Sequence, residues 1–343
     1  MNRRTVGIVG AAVIAVSAPL VLLDSTAAQQ TVTCDVALGT IPGVGEIRFC
    51  AYAPSDTTAP PLVTAAPTTA PPTTTTTTTT VAPPPRSILV GAAVERQGTE
   101  SWAQATSRFE AAIGQPINIA RRFTGTFPTS FAAVATFTVD TGERDRFISV
   151  KGNPTLAQWV TFFASIPNDG HDTWVTINHE PENDGGTMTP TVFKGKLRTM
   201  HDAWAAVGRP DIHLGAVLMT WLERDNIAST SSSQWFPDAD IIADFTLGLD
   251  PYDPLSRQQF AALVGATLQL WDAAGGGPWM VTEVGTKRLG QDGADWIDSM
   301  FAYCRADLDC GGIMYFHAVA GADGPWLITD QLMLATYGRQ AAR

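Results

Sequence analysis

Two short apolar runs in this sequence end in a carboxylate. Residues 174–177 lead into Asn178-His179-Glu180-Pro181-Glu182-Asn183-Asp184, and residues 279–282 lead into Glu283-Val284-Gly285-Thr286. A charge at the end of a buried strand is costly unless it is compensated or used. Two such carboxyls facing each other across a cleft can divide the work of breaking a glycosidic bond. One protonates the leaving oxygen, and the other attacks or positions water from the opposite side. The same stretch, His179 to Asp184, is also rich in metal-ligand types. Yet the chain holds five His in all, and no two of them stand at the spacing that closes a zinc site. Oxygen-only calcium binding by Glu182 and Asp184 would be a minor structural feature. The expectation is no metal and no cofactor.

Something must hold these groups together, and the pattern of elements supplies it. Eight apolar runs recur, at 88–94, 117–120, 147–150, 174–177, 212–219, 242–249, 279–282 and 313–316. Their spacing fits one strand, one helix and two loops per unit. Helical patterns fill most gaps: 101–113, then Thr189-Pro190 through to Gly208, then 258–273 and 294–307. Thr189 reads as an N-cap, Pro190 as the first helical residue and Gly208 as the residue after the helix. The helix after the second strand is weakly marked, and the fifth, near 232–236, is stunted. Alternating strands and helices predict an α/β protein with parallel strands, here a closed (β/α)8 TIM barrel over residues 87–343. An open doubly wound sheet would show a Gly-rich phosphate turn after its first strand, which Gly91-Ala92-Ala93 does not supply. In a barrel the chemistry sits where strands end, so Glu180 after strand four and Glu283 after strand seven would share one mouth.

The 343 residues carry a formal charge of −11, with 45% hydrophobic and 16% charged residues. This is too apolar for overall disorder. It is too acidic for a nucleic-acid partner or for an anionic membrane surface. Arg3, Arg4, Arg48 and Arg86 balance Asp24, Asp35, Glu46 and Asp56, so all of the net charge belongs to residues 87–343. Most of it is expected on the barrel helices as a solvated surface. Residues 1–28 read as a signal peptide: Arg3-Arg4, an apolar stretch, then Ser25-Thr26-Ala27-Ala28 for cleavage. A retained anchor is the alternative. Residues 29–53 are a small Cys-bounded segment, and residues 54–86 a Thr/Pro-rich disordered linker with Thr at 73–80. Export favours disulfides, and sequence proximity pairs Cys34 with Cys50 and Cys304 with Cys310. The chain is thus expected to be secreted, in or near the cell wall, monomeric, and free of the membrane once the signal is cleaved.

With these motifs in place, the chain resembles the clan A glycoside hydrolases, and most of all glycoside hydrolase family 26, the β-mannanase-like group. His179-Glu180 is similar to the His-Glu acid/base pair of that family, and Thr282-Glu283-Val284-Gly285 to its Glu-x-Gly nucleophile segment. Asp250-Pro251-Tyr252 resembles its Asp-x-Tyr stretch, and Met219-Thr220-Trp221 ends the strand where the family places an aromatic. The family's Gly and tryptophans after His-Glu are replaced by Pro181-Glu182-Asn183-Asp184-Gly185-Gly186. The resemblance implies a TIM barrel, a polysaccharide or oligosaccharide substrate, Glu180 as general acid/base and Glu283 as nucleophile. β-Mannan is the first substrate expected, with other β-1,4 or β-1,3 glycans behind it. Glu182 is the rival acid. His179 would orient a carboxylate or pack in the rim. Tyr252 would donate to Glu283, and Arg121 or Arg122 would hold it or a substrate hydroxyl. Trp221, Phe316, Trp326 and His317 are candidates for the sugar-binding surface or for the core. Two other readings stay open: a carbohydrate-binding barrel without catalysis, tethered to the cell surface, and a metal-dependent barrel hydrolase.

Overall fold

The computed structural model describes residues 87–343 except 185–186, 225–230, 255–257 and 320–324. It also describes the backbone of four strands in the N-terminal part. The chain divides into two compact units, Met1–Thr80 and Val81–Arg343. In the first, Val32–Ile41 and Gly45–Tyr52 form an antiparallel hairpin, which sets Cys34 opposite Cys50. Val13–Ala15 adds to it, and Thr5–Val6 pairs with Val13–Ala15. The cleavage point, the Thr/Pro linker and the Cys34–Cys50 bond itself lie outside the described residues. No helix among the described residues is long and apolar enough to cross a membrane.

The second unit is an eight-stranded parallel barrel. Its strands are β1 Leu89–Val94, β2 Ile119–Phe123, β3 Asp145–Val150, β4 Thr173–Ile177, β5 Ile212–Met219, β6 Phe245–Asp250, β7 Trp279–Thr286 and β8 Cys310–His317. Each pairs with the next, β8 pairs with β1, and the β6–β7 pairing completes the ring. The helices are α1 Trp102–Ile113, α2 Ala135–Thr138, α3 Leu156–Ser165, α4 Pro190–Val207, α5 Trp221–Arg224, α6 Phe260–Ala273, α7 Gly290–Ala306 and α8 Gln331–Ala341. Their ends follow local chemistry. Ser101 and Thr155 form capping boxes with Gln104 and Gln158. Thr189 caps α4 ahead of Pro190, and Gly208 ends it in the left-handed conformation. The second helix, weakly marked in the sequence, is one turn long, and the fifth, expected near 232–236, lies earlier at Trp221–Arg224, with Ser232–Trp235 only a 3-10 turn.

Alternation along the strands separates two cores. Side chains pointing outward pack with the helices in one large apolar cluster. Those pointing inward stack below the mouth: Ile119, Phe147, Val217, Met280 and Met314, from five different strands, plug the barrel. The Cys304–Cys310 disulfide joins the end of α7 to the start of β8. Five of the strands are longer than their apolar runs, β5 matches its run, and β1 and β6 begin later than theirs, β6 because Ile242–Asp244 is a 3-10 turn. β2 continues through Arg121 and Arg122, and β3 begins at Asp145 and Arg146. Arg146 is buried and paired with Asp169 at 2.7 Å, so charge inside a strand masked its ends.

Barrel closure also needs a close approach of β1 to β2 at Gly91. A Cβ there would lie 2.0 Å from the Ile119 carbonyl oxygen. Gly91→Ala should therefore destabilise the fold by about 1–3 kcal/mol or more. Gly265→Ala, on α6 with open space around it, should be neutral or slightly stabilising. Urea denaturation of both variants checks the contrast.

Candidate active site

β2 shows how the mouth is charged. Successive side chains alternate, so Arg121 points in and Arg122 points out. Arg122 forms a buried pair with Asp140 at 2.7 Å and reaches Thr106 at 2.9 Å. Arg121 is wholly buried, and its guanidinium lies between the rings of Phe123 and Phe147, 4.7 and 4.6 Å away. It donates to Ser149 Oγ at 2.6 Å and to Glu283 Oε1 at 3.3 Å. Of the two arginines, Arg121 is the one brought to Glu283.

Glu283 reaches the mouth because β7 is irregular. Val281 pairs with Ile313 and Val284 with Tyr315, so β7 carries one residue more than β8 over the same stretch. Such a bulge breaks strict alternation and re-aims a side chain. Both Thr282 and Glu283 turn toward the mouth, and Val284 resumes the outward core. Tyr252 lies on a two-residue strand, Tyr252–Asp253, that pairs with Gly285 and Thr286. From there its hydroxyl donates to Glu283 Oε2 at 2.7 Å. Burial first, then Glu283 beside it, hold the Tyr252 pKa well above its ordinary value, so it stays a neutral donor. Burial raises Glu283 to about 7, while Arg121 and Tyr252 pull it down and Glu180 pushes it up.

Glu180 follows β4 in a tight loop. Asn178 and Glu180 both adopt left-handed backbone, φ 48° and 53°, a conformation that non-glycine residues rarely take and that clusters at functional sites. The loop is held from below. Asn178 accepts from Lys196 at 2.9 Å and donates to Asp184 at 3.1 Å, and Lys151 meets Asp184 at 2.7 Å. The Glu180 amide donates to the Val217 carbonyl on β5, and Asn183 donates to Glu180 Oε2 at 3.2 Å. Burial raises the Glu180 pKa.

A third carboxyl completes the group. Asp250, fully buried at the end of β6, accepts from Thr282 Oγ1 at 2.5 Å. Carboxyl oxygens of Glu180, Asp250 and Glu283 lie within 4.8 Å of one another. Burial, then Glu283 and Glu180, push Asp250 well above the usual carboxylate range, so it is the natural holder of a proton. Sequence reasoning saw Asp250 only as part of the Asp-x-Tyr stretch. Its signal was the one used for the two glutamates, an apolar run ending in a carboxylate.

The remaining expected residues divide. Trp326 packs on Tyr252 with ring centres 4.8 Å apart, and Lys287 Nζ sits 5.3 Å from its ring. Phe316 meets Tyr252 edge-on at 6.0 Å. His179 packs on Phe123 at 5.2 Å, its Nδ1 is buried without a partner, and no hydrogen bond among the described residues joins it to Glu180 or Glu283. Burial first, then Arg121 and Lys151, hold His179 neutral. His317 accepts from the Ile328 amide at 3.2 Å and packs on Phe109, and burial lowers it to about 4. It serves the rim. Trp221 is half-buried against the outer core. Glu182 turns away from the trio and accepts from the Met219 amide of β5.

Solved structures similar to this fold include glycoside hydrolases. A curdlan-specific exo-β-1,3-glucanase of family 128 from Blastomyces gilchristii matches with TM-score 0.45 and 12% identity, over 73% of this chain and 97% of that one. A Bacillus subtilis mannanase matches with TM-score 0.48 and 15% identity, over 74% and 85%. A family 128 endo-β-1,3-glucanase from Amycolatopsis mediterranei, bound to laminaritriose, matches with TM-score 0.44 and 14% identity, over 74% and 100%. At these identities the likeness is one of fold. No protein-family model and no curated protein sequence matches the chain.

Glu182 gives a stability prediction. Burial raises its pKa to about 8, and its Oε2 is buried without a partner. The folded state therefore binds this proton more tightly than the unfolded chain. The associated stability is full below the unfolded pKa near 4.5 and is lost as pH rises toward 8. Glu182→Gln should flatten the fall in Tm between pH 5 and 8, a change that thermal melts across that range will read.

Proposed function

We propose that the barrel is a secreted, retaining β-glycoside hydrolase, with Glu283 as nucleophile and Glu180 as general acid/base. The observation that carries this reading is the approach of their carboxyl oxygens to within 4.8 Å. Retaining enzymes hold the pair about 5–5.5 Å apart, and inverting ones leave roughly 6.5–9.5 Å for a water. Attack of ionised Glu283 on the anomeric carbon breaks the bond to the glycosidic oxygen, which takes its proton from Glu180. Glu180, now ionised, then takes a proton from water as that water attacks the same carbon and releases Glu283. Arg121 and Tyr252 favour the charged form of Glu283. Asn183 and the left-handed turn fix Glu180.

The competing readings fit these groups less well. A divalent cation among the three carboxylates would face the Arg121 guanidinium already bonded to Glu283. A barrel that only binds sugar gains nothing from clustering a half-buried carboxyl against two buried ones. β-Mannan remains the first substrate to try, followed by β-1,4- and β-1,3-glucans. A neutral glycan also suits an acidic barrel.

Hydrolysis of a panel of these glycans by wild type, Glu283→Ala and Glu180→Gln tests the proposal. Both variants should lose about three orders of magnitude or more in kcat. The product anomer, read by NMR early in the reaction, should be retained. Inversion would discard the nucleophile role, full activity in both variants would discard the two-glutamate assignment, and no hydrolysis of any glycan by the wild type would discard the enzyme reading. The pH profile of kcat/KM should be bell-shaped: activity falls in acid as Glu283 takes up a proton and in alkali as Glu180 loses its own.

A further inference from the structure

The loop that presents Glu180 is closed on itself by side chains. Asn178 and Asp184 stand at its two ends, and Asn178 Nδ2 donates to Asp184 Oδ2 at 3.1 Å. Between them the Glu180 carbonyl accepts from the Asn183 amide at 2.9 Å, and the Pro181 carbonyl from the Asp184 amide at 3.3 Å. Glu180 and the turn that aims it thus sit inside one ring of bonds. Two lysines from neighbouring elements fix that ring to the barrel. Lys151, just after β3, donates to Asp184 Oδ1 at 2.7 Å. Lys196, on α4, donates to Asn178 Oδ1 at 2.9 Å and to the Gly152 carbonyl at 2.5 Å.

The clamp opposes a local strain. Left-handed backbone is tolerated at Asn, whose short amide can bond nearby, but not readily at Glu. Glu180, at φ 53°, would relax unless its surroundings over-determined it. The Asn178 amide cannot swivel to release the turn, since its oxygen is taken by a cation and its nitrogen by a carboxylate. Burial lowers the Lys196 pKa and Asp184 raises it, so Asp184 helps to keep Lys196 charged across the amide between them. The nucleophile has separate supports, because Arg121 and Tyr252 hold Glu283. Among the described residues, Lys151, Asp184 and Lys196 are bonded to neither glutamate.

We propose that Lys196 and Asp184 are positioning residues for Glu180: acting through Asn178, they hold the general acid at the leaving oxygen. As the glycosidic bond breaks, its electron pair goes to that oxygen, and Glu180 delivers the proton. If the loop relaxes, the carboxyl moves away and the group must depart as an anion. That is a heavy loss for a poor leaving group and a small one for a good leaving group. This inference rests on the two-glutamate reading above.

Phenyl and 2,4-dinitrophenyl β-cellobioside, β-laminaribioside and β-mannobioside read the effect, because phenol needs the acid in order to leave and dinitrophenol does not. The quantity to follow is the dinitrophenyl-to-phenyl ratio of kcat/KM. It should rise about ten-fold or more in Lys196→Met and in Asp184→Ala, toward the rise of about 10²-fold or more expected for Glu180→Gln. Lys196→Arg, which keeps the charge and the donors, should stay closer to the wild-type ratio than Lys196→Met. A folding defect, or a general loosening of the mouth, lowers both rates together and cancels from the ratio. Wild-type ratios in both Lys196→Met and Asp184→Ala, with a raised ratio in Glu180→Gln, would overturn the positioning role and leave the glutamate pair standing. A wild-type ratio in Glu180→Gln would remove Glu180 as the acid, and this inference with it.

Discussion

The barrel mouth is organised around one imbalance: three carboxyls share a buried space with one guanidinium. Arg121 offers a single positive charge to Glu180, Asp250 and Glu283. The trio therefore cannot ionise fully without heavy repulsion, and its protons belong to the group rather than to single residues. Much of the local architecture serves this arrangement. Phe123 and Phe147 clamp the guanidinium, Ser149 fixes one of its nitrogens, Tyr252 lends a neutral hydrogen, and Thr282 caps Asp250. Low dielectric surroundings make each of these bonds stronger and each missing one more costly.

The eight strands were legible because parallel barrel strands are buried on both faces and read as continuous apolar runs. Their ends were not. β2 and β3 carry arginines within the strand, where Asp140 and Asp169 neutralise them at long sequence distance. A composition-based reading stops at the first charge. Ser101, Thr155, Thr189 and Gly208 mark helix ends by short-range chemistry, so such ends are visible in sequence.

The expectation that the acidic surplus sits on solvated helices holds only in part. Asp140, Asp250, Asp253 and Glu283 are all buried. Asp140 and Asp253 meet arginines, Arg122 at 2.7 Å and Arg288 at 2.6 Å, and they brace loops around the barrel. Pairs of this kind fix geometry more than they add stability, since desolvation offsets much of the attraction. Asp250 and Glu283 have a different environment, with carboxyl next to carboxyl. That contrast separates bracing charges from those gathered at the mouth.

The extra residue in β7 sets the position of Glu283 by counting. Upstream of it the strand keeps register with the helix-side core through Val281, and downstream through Val284. Removing one residue in between would leave a single inward position between the two valines, so the mouth could keep either the Thr282 hydroxyl on Asp250 or the Glu283 carboxylate, but not both.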